Sequence, residues 1–157
     1  MALFVGEFEQ TLDSKHRLAI CSALREQMVP DEDGKNFYLV LGPERHLWLY
    51  PELYYRRLVA SLRRGPLPDR QTRKIDLLFA MARVVKPDSQ GRIVVPERSM
   101  QRADISDRLT LVGVFDHIEL WPTEQWERHV DEALPSYGEM LYEASERMRT
   151  SAEDDTG

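Results

Sequence analysis

Short apolar runs separated by polar turns set the pattern of the chain. A first apolar stretch, Leu3 to Phe8, runs into a polar turn containing Asp13-Ser14. A β-prone run, Leu18 to Ile20, follows, and then a short helical or irregular piece, Ala23 to Met28. Two further β-prone runs, Phe37–Leu41 and Leu47–Tyr50, flank a turn, and Pro51 stands where a helix begins. The same succession then returns. Ala82 to Val85 leads into a second Asp-Ser turn, then Ile93 to Val95, then Glu97 to Arg102. Leu109–Val112, Ile118–Trp121 and Pro122 complete it, and Trp126, Val130 and Leu134 follow at helical spacing. Between the two successions, Arg63-Arg64-Gly65-Pro66-Leu67-Pro68 is a break signal. A helix from Asp69 to about Met81 is predicted after it, with Ile75, Leu78, Phe79 and Ala82 on one face. After Pro135 the helical pattern of Met140, Leu141 and Ala144 gives way to a frayed SAEDDTG.

The recurrence extends to individual residues. DSKHRLAI (13–20) and DSQGRIVV (88–95) share Asp13/Asp88, Ser14/Ser89 and Arg17/Arg92 at an offset of 75, with Leu18/Ile93 and Ile20/Val95 apolar in both. LVLGPERHLWLYPELYY (39–55) aligns with TLVGVFDHIELWPTEQW (110–126) at an offset of 71, matching Gly42/Gly113, His46/His117, Leu49/Leu120 and Pro51/Pro122. The change of offset places four extra residues in the first copy, near Pro30 to Lys35, where Asp-Glu-Asp-Gly reads as a turn. Two matched blocks in the same order mark a tandem duplication. Each copy is too small for a comfortable core of its own, so the copies are expected to complete one another.

Charge changes the picture. The 157 residues carry 21 Lys+Arg against 27 Asp+Glu, a net charge of −6. The deficit sits in the tail. Residues 131–157 hold 8 acidic and 2 basic side chains, which leaves residues 1–130 neutral. Nucleic-acid binding then requires a local basic patch rather than a global charge. Lys15 and Arg17 supply one on the first turn. Arg presents a planar fork that suits guanine, and Lys a compact charge that suits a phosphate. The turn also has a structural reading, in which Asp13 and Arg17 pair and fix its shape; the two roles are compatible. A second basic concentration, Arg56, Arg57, Arg63, Arg64, Arg70, Arg73 and Lys74, reads better as a solvated helix face or a contact to an acidic surface. Trp48, Trp121, Trp126 and the tyrosines are assigned to the core or an interface.

Several function classes drop out. One Cys excludes an intramolecular disulfide framework and fits a reducing compartment. One Cys and 4 His offer no metal-ligand spacing, so no metal or cofactor is expected. No run of about 18 apolar residues spans a membrane and no signal peptide is evident, giving a cytoplasmic expectation. Cys21 near His16 suggests a nucleophile and base, yet no phosphate-cradling loop, HExxH or GxSxG accompanies them. His46 and His117 read as turn residues. The chain is therefore not read as an enzyme, and no small-molecule substrate is expected.

The duplicated Asp-Ser-x-x-Arg turn, followed by the Gly…His…Leu-Tyr/Trp-Pro segment, resembles the MraZ family of bacterial transcriptional regulators from Phe4 to about Val130. The resemblance implies an α+β, mainly β fold: tandem, pseudo-symmetric AbrB-like swapped-hairpin modules with flanking helices. It places a first module at 3–58, a linker and helix at 59–81, a second module at 82–130 and an acidic tail at 131–157. It further implies a homo-oligomeric ring, nucleoid-associated, that binds short repeated G-containing boxes in double-stranded promoter DNA upstream of its own division and cell-wall gene cluster. By the same resemblance Lys15, His16, Arg17, Gln90 and Arg92 are the expected DNA-contacting residues, with Asp13 and Asp88 shaping the turns. His16 stands where the family has Gly, and Cys21 where it has the Pro that the second copy keeps as Pro96. Those departures, together with the net charge of −6, motivate the alternative function: an oligomeric ring-forming interaction protein that has lost tight DNA binding.

Overall fold

A computed structural model describes every residue except Arg63 and Arg64. The chain divides into two compact units, Met1–Thr123 and Glu124–Gly157. The first unit is α+β and mainly β. Its strands are β1 (Glu7–Thr11), β2 (Arg17–Ala19), β3 (Phe37–Leu41), β4 (Leu47–Pro51), β5 (Arg83–Val85), β6 (Arg92–Val94), β7 (Arg108–Val114) and β8 (His117–Pro122). Short helices intervene: α1 (Ser22–Arg25), α2 (Pro30–Asp33), α3 (Glu52–Val59), α4 (Arg70–Arg73), α5 (Asp76–Ala80) and α6 (Glu97–Arg102). Helix α7 (Thr123–Ala133) begins at the end of the first unit. In the second unit a 3₁₀ turn at Leu134–Ser136 precedes α8 (Tyr137–Asp155).

The two copies exchange strands. Six strands form one sheet in the order β1-β7-β8-β4-β3-β5, and β2 pairs with β6 in a separate ribbon. Strand β1 of the first copy lies on β7 of the second, while β5 of the second lies on β3 of the first. A pseudo-twofold axis relates them. It passes between Trp48 and Glu119 where β4 meets β8, and between Leu18 and Ile93 where β2 meets β6. Neither copy could close its core alone, because each lends a hairpin strand to the other's sheet.

Period-2 alternation explains which face turns inward. Leu18, Ile20, Ile93 and Val95 on the ribbon are at most 1% exposed, as are Phe37, Leu39, Leu47, Leu49, Leu109, Leu111, Ile118 and Leu120 on the sheet. Full burial of such a side chain contributes about 1.5–3 kcal/mol. The ribbon is three residues long on each strand, so this apolar inner face, more than its few ladder bonds, holds it down.

The structure corrects several sequence expectations. The 13-residue helix from Asp69 is two short helices. Ile75 N donates to Thr72 O and Leu78 N to Ile75 O, three residues back, which tightens the chain between α4 and α5. Thr72 Oγ1 also bonds back to the Asp69 carbonyl. Asp31-Glu32-Asp33 lies in one helical turn, and Asp33 is fully buried because its Oδ2 accepts the Val29 N–H at 2.8 Å. SAEDD, expected to fray, belongs to α8. Pro51 precedes its helix as the N-cap residue rather than sitting in the first turn. The Gly42/Gly113 match does not survive: Leu39 pairs with Leu49 and Leu111 with Leu120, so the first hairpin loop carries one residue more than the second. Gly42 sits at that loop. Gly113 lies within β7, where a Cβ would come within 2.5 Å of the Val5 backbone nitrogen crossing over it. No helix among the described residues is long and apolar enough to cross a membrane.

Candidate nucleic-acid interface

The Asp-Ser-x-x-Arg segments form two near-identical turns, each leading into a ribbon strand. In the first, Asp13 Oδ1 accepts the backbone N–H of Lys15 at 2.9 Å and of Arg17 at 2.8 Å, and Oδ2 accepts Arg17 Nε at 2.6 Å. In the second, Asp88 Oδ1 accepts the N–H of Gln90 and of Arg92, and Oδ2 accepts Arg92 Nε, each at 2.9 Å. The Asx-type geometry explains the sequence requirement. Only a short acceptor with two oxygens reaches both backbone donors and a side-chain donor at once. The fourth turn residue takes the left-handed conformation, His16 at φ 59° and Gly91 at φ 76°.

These bonds set the electrostatics. The Arg17 backbone N–H, reinforced by its guanidinium and the Lys15 N–H, outweighs desolvation and holds the Asp13 carboxyl down at about 2. The Arg92 backbone N–H lowers Asp88 likewise. Both carboxylates stay ionised through the neutral range, so both arginines are pre-oriented.

Register places the sequence-predicted residues together. Arg17 pairs with Val94 and Ala19 with Arg92, while Leu18 and Ile93 point inward. Arg17, Ala19, Arg92 and Val94 therefore form the ribbon's outer face, with Arg17 and Arg92 on its diagonal. Two register steps separate them along the strands, about 7 Å. Lys15 and Gln90 are exposed at the two turns, and His16 is half-buried beside Arg17. A two-stranded ribbon of this width fits the DNA major groove. Sequence reasoning missed three features. Ser14 and Ser89 are exposed beside Lys15 and Gln90, and their identical recurrence was the available signal. Val94, 57% exposed on the ribbon, follows from the alternation. Arg25 was not foreseen; its Nε donates to Ile20 O at 2.8 Å and its guanidinium covers Gly91.

The second basic concentration behaves differently. Arg56, Arg57, Arg70, Arg73 and Lys74 are exposed around α3 to α5, with Arg56 near Glu52 and Arg73 near Asp76; Arg63 and Arg64 lie outside the described residues.

His46 closes the first hairpin turn, its carbonyl accepting the Gly42 N–H at 2.8 Å, whereas His117 lies in β8 rather than in a turn, and both are buried. His46 stacks on Trp121 and His117 on Trp48, both at 3.9 Å between centroids. His117 Nδ1 meets Asp116 Oδ1 and Nε2 meets Glu119 Oε2, each at 2.8 Å. Tyr54 OH donates to Asp116 and Trp121 Nε1 to Glu119. Burial pulls the His117 pKa down, but the bonds to Glu119 and Asp116 together outweigh it, so the pKa stands above the ordinary value. With both ring nitrogens engaged, His117 ties Asp116 to Glu119 within the second hairpin, and Asp116 carries the bond to Tyr54 of α3. Among the described residues no three His, Cys, Asp or Glu side chains form a metal-binding group.

The strand exchange and the paired Asx turns on one ribbon define a tandem-repeat, swapped-hairpin β protein. The profile of the family described as "MraZ protein, putative antitoxin-like" matches twice, over residues 3–77 and 78–148. This chain belongs to that family. It is 33% identical to the "Transcriptional regulator MraZ" of Clostridium tetani over 130 residues, 82% of this chain and 88% of the relative. The protein of the same name from Clostridium acetobutylicum is 34% identical over 125 residues, 79% and 84% of the two chains. That of Lactobacillus delbrueckii subsp. bulgaricus is 34% identical over 139 residues, 88% and 94%.

Proposed function

We propose that this protein is a sequence-specific DNA-binding transcriptional regulator, acting as a homo-oligomer on repeated short boxes in the promoter of its own division and cell-wall operon. The observation that carries this reading is the pair of matched turns holding Arg17 and Arg92 on the outer face of one exposed ribbon. The names of its relatives support the regulatory part. In this reading Arg17 and Arg92 read base edges in the major groove, Lys15 meets a phosphate, and Gln90 and His16 contact the groove walls, while Asp13 and Asp88 hold the turns. Cytoplasmic, nucleoid-associated residence follows from that role. The ribbon offers few cations for a chain of net charge −6, so tight binding depends on several ribbons engaging several boxes at once.

The alternative, an oligomeric interaction protein without tight DNA binding, draws on the net charge of −6 and on the departures His16 and Cys21. Both hold the backbone that the other copy has: His16 shares the left-handed φ of Gly91, and Cys21 at φ −59° that of Pro96 at −60°. That equality favours the regulator.

The test is fluorescence anisotropy with DNA from upstream of the gene, a scrambled duplex and a salt series. Arg17→Ala is expected to weaken binding to the native duplex by about 10–100-fold, the worth of one base-specific arginine, while sparing binding to the scrambled one. Arg17→Lys, which keeps the charge but loses the fork, is expected to lose the preference too. Equal, steeply salt-dependent binding to both duplexes, indifferent to Arg17, would leave the alternative standing.

A further inference from the structure

Two apolar surfaces outside the ribbon are exposed among the described residues. The first is an apolar groove of about 550 Å³ between the outer face of β3–β4 and the segment from α3 to α5. Trp48 and Tyr55 form its floor, and Leu58, Leu62, Leu77 and Leu78 its walls, with those four leucines 42%, 37%, 64% and 46% exposed. Two observations show that the groove is made for an occupant. Leucines this exposed cluster on a soluble surface only where something covers them. Tyr55, 6% exposed, has a buried hydroxyl with no hydrogen-bond partner among the described residues; an acceptor is missing there. Lys74 also lines the groove, in a stretch where residues 52–81 carry seven Lys+Arg and three Asp+Glu.

The second surface is α8. Tyr137, Leu141, Ala144 and Met148 recur at the spacing of a helix seam, and Tyr137, Leu141 and Met148 are 55%, 55% and 73% exposed. One heptad beyond Met148 the same stripe ends on Asp155. Helix α8 carries six Asp+Glu and two Lys+Arg. Pairing of two such helices side by side in parallel would set Asp155 against Asp155 and bring two acidic helices together, which is unfavourable.

We propose that the apolar stripe of α8 from one copy docks into the α3–α5 groove of a second copy. The leucine walls take Tyr137, Leu141 and Met148, and the acidic end of the stripe answers the Lys74 ammonium and the Tyr55 hydroxyl. Contacts of this kind are heterologous, head to tail, and so build a ring or an open chain rather than a closed pair. This inference rests on the self-association in the proposed function and assigns its surfaces.

The test uses the full chain. Wild type is expected to sediment as an assembly. Leu141→Glu with Met148→Glu on the helix, or Leu78→Glu in the groove, should each weaken association by at least about 100-fold with the circular dichroism spectrum unchanged, because a carboxylate would be buried against leucine. A Leu78→Cys chain and a Leu141→Cys chain, each also Cys21→Ser, should form a mixed disulfide dimer on mixing under mild oxidation. An α8 variant that keeps the wild-type assembly overturns this docking while leaving the DNA-binding reading intact. Leu141→Cys chains that cross-link mainly to each other overturn it in favour of helix pairing. A chain carrying both cysteines that closes its disulfide internally overturns the second copy as occupant. Wild type that stays monomeric removes both this inference and the self-association it rests on.

Discussion

The turn at Asp13–Arg17 and the turn at Asp88–Arg92 make the same hydrogen bonds, yet their fourth residue is His in one and Gly in the other. The difference lies in what the opposite copy places above them. A Cβ on Gly91 would stand 2.5 Å from Arg25 Nε, whose guanidinium is fixed by its bond to Ile20 O. The residue equivalent to Arg25 in the second copy is Met100, and it lines an open cavity of about 290 Å³ beside His16. Each turn's tolerance is thus set by a residue of the other repeat. Pseudo-symmetry of the backbone survives while the side chains covering it diverge.

Exchange at these two positions is expected to give the largest effect. Gly91→Ala forces a side chain into left-handed backbone, about 1–2 kcal/mol, and displaces Arg25 from its carbonyl, about 1 kcal/mol more. Urea unfolding should show a loss of about 2–3 kcal/mol. Arg25→Ala in the same chain should make the added cost of Gly91→Ala smaller, because the clash is then gone. His16→Gly should shift stability by less than about 1 kcal/mol, relief of strain being offset by the freedom that glycine gives the unfolded chain. Equal losses at both turns would break the comparison.

The two histidines sharpen it at the sheet centre. His46 and His117 are repeat equivalents, both stacked on tryptophan; His46 Nδ1 stands 4.0 Å from Glu44 Oε2, whereas His117 lies 2.8 Å from each of two carboxylates. Its folded pKa is raised above the unfolded value. The stability it contributes is therefore complete below the unfolded value of about 6.5 and declines as pH rises through the folded one. Asp116 and Glu119 are lowered, with their bonds to His117 overcoming desolvation, so their contribution is lost instead as pH falls through their folded values. Denaturant unfolding above pH 6.5 should show an alkaline decline of at most about 1.4 kcal/mol per pH unit. His117→Gln should flatten that slope.

What the sequence revealed divides along the same line. The β-prone runs, the repeated turn and α6 are carried by neighbours in the chain, and they stand within a residue or two of where alternation puts them. The family resemblance named the strand exchange, which the register then located at particular residues. Long-range detail was hidden. Gly42 aligns with Gly113 because two unrelated close approaches, of the Trp48 ring to one and of the Phe4–Val5 backbone to the other, both select glycine. His117 reads as a turn residue, though it belongs to β8, because nothing local indicates that Trp48 lies across the sheet. Arg25 could not be placed over Gly91, since they are 66 positions apart and meet only through the ribbon.

The strand exits test the comparison most gently. Cys21 and Pro96 both lead from a ribbon strand into a short helix, α1 or α6, and both sit near φ −60° with ψ extended. The Cys21 N–H makes no backbone hydrogen bond among the described residues, so a proline there forfeits no bond. Ile20 before it continues the ribbon pairing, its N–H donating to Gly91 O at 2.9 Å, and the extended backbone of a ribbon is what a residue preceding proline favours. Cys21 also packs against the core, where a proline ring of similar bulk can replace the thiol. Cys21→Pro is therefore expected to stabilise the protein by about 0.5–1 kcal/mol, acting through the unfolded chain, which loses freedom the native state never used. For a chain of this size that raises the melting temperature by roughly 1–4 °C in calorimetry. A fall in melting temperature would mean that the two exits share their angles but not their surroundings, as the two turns do.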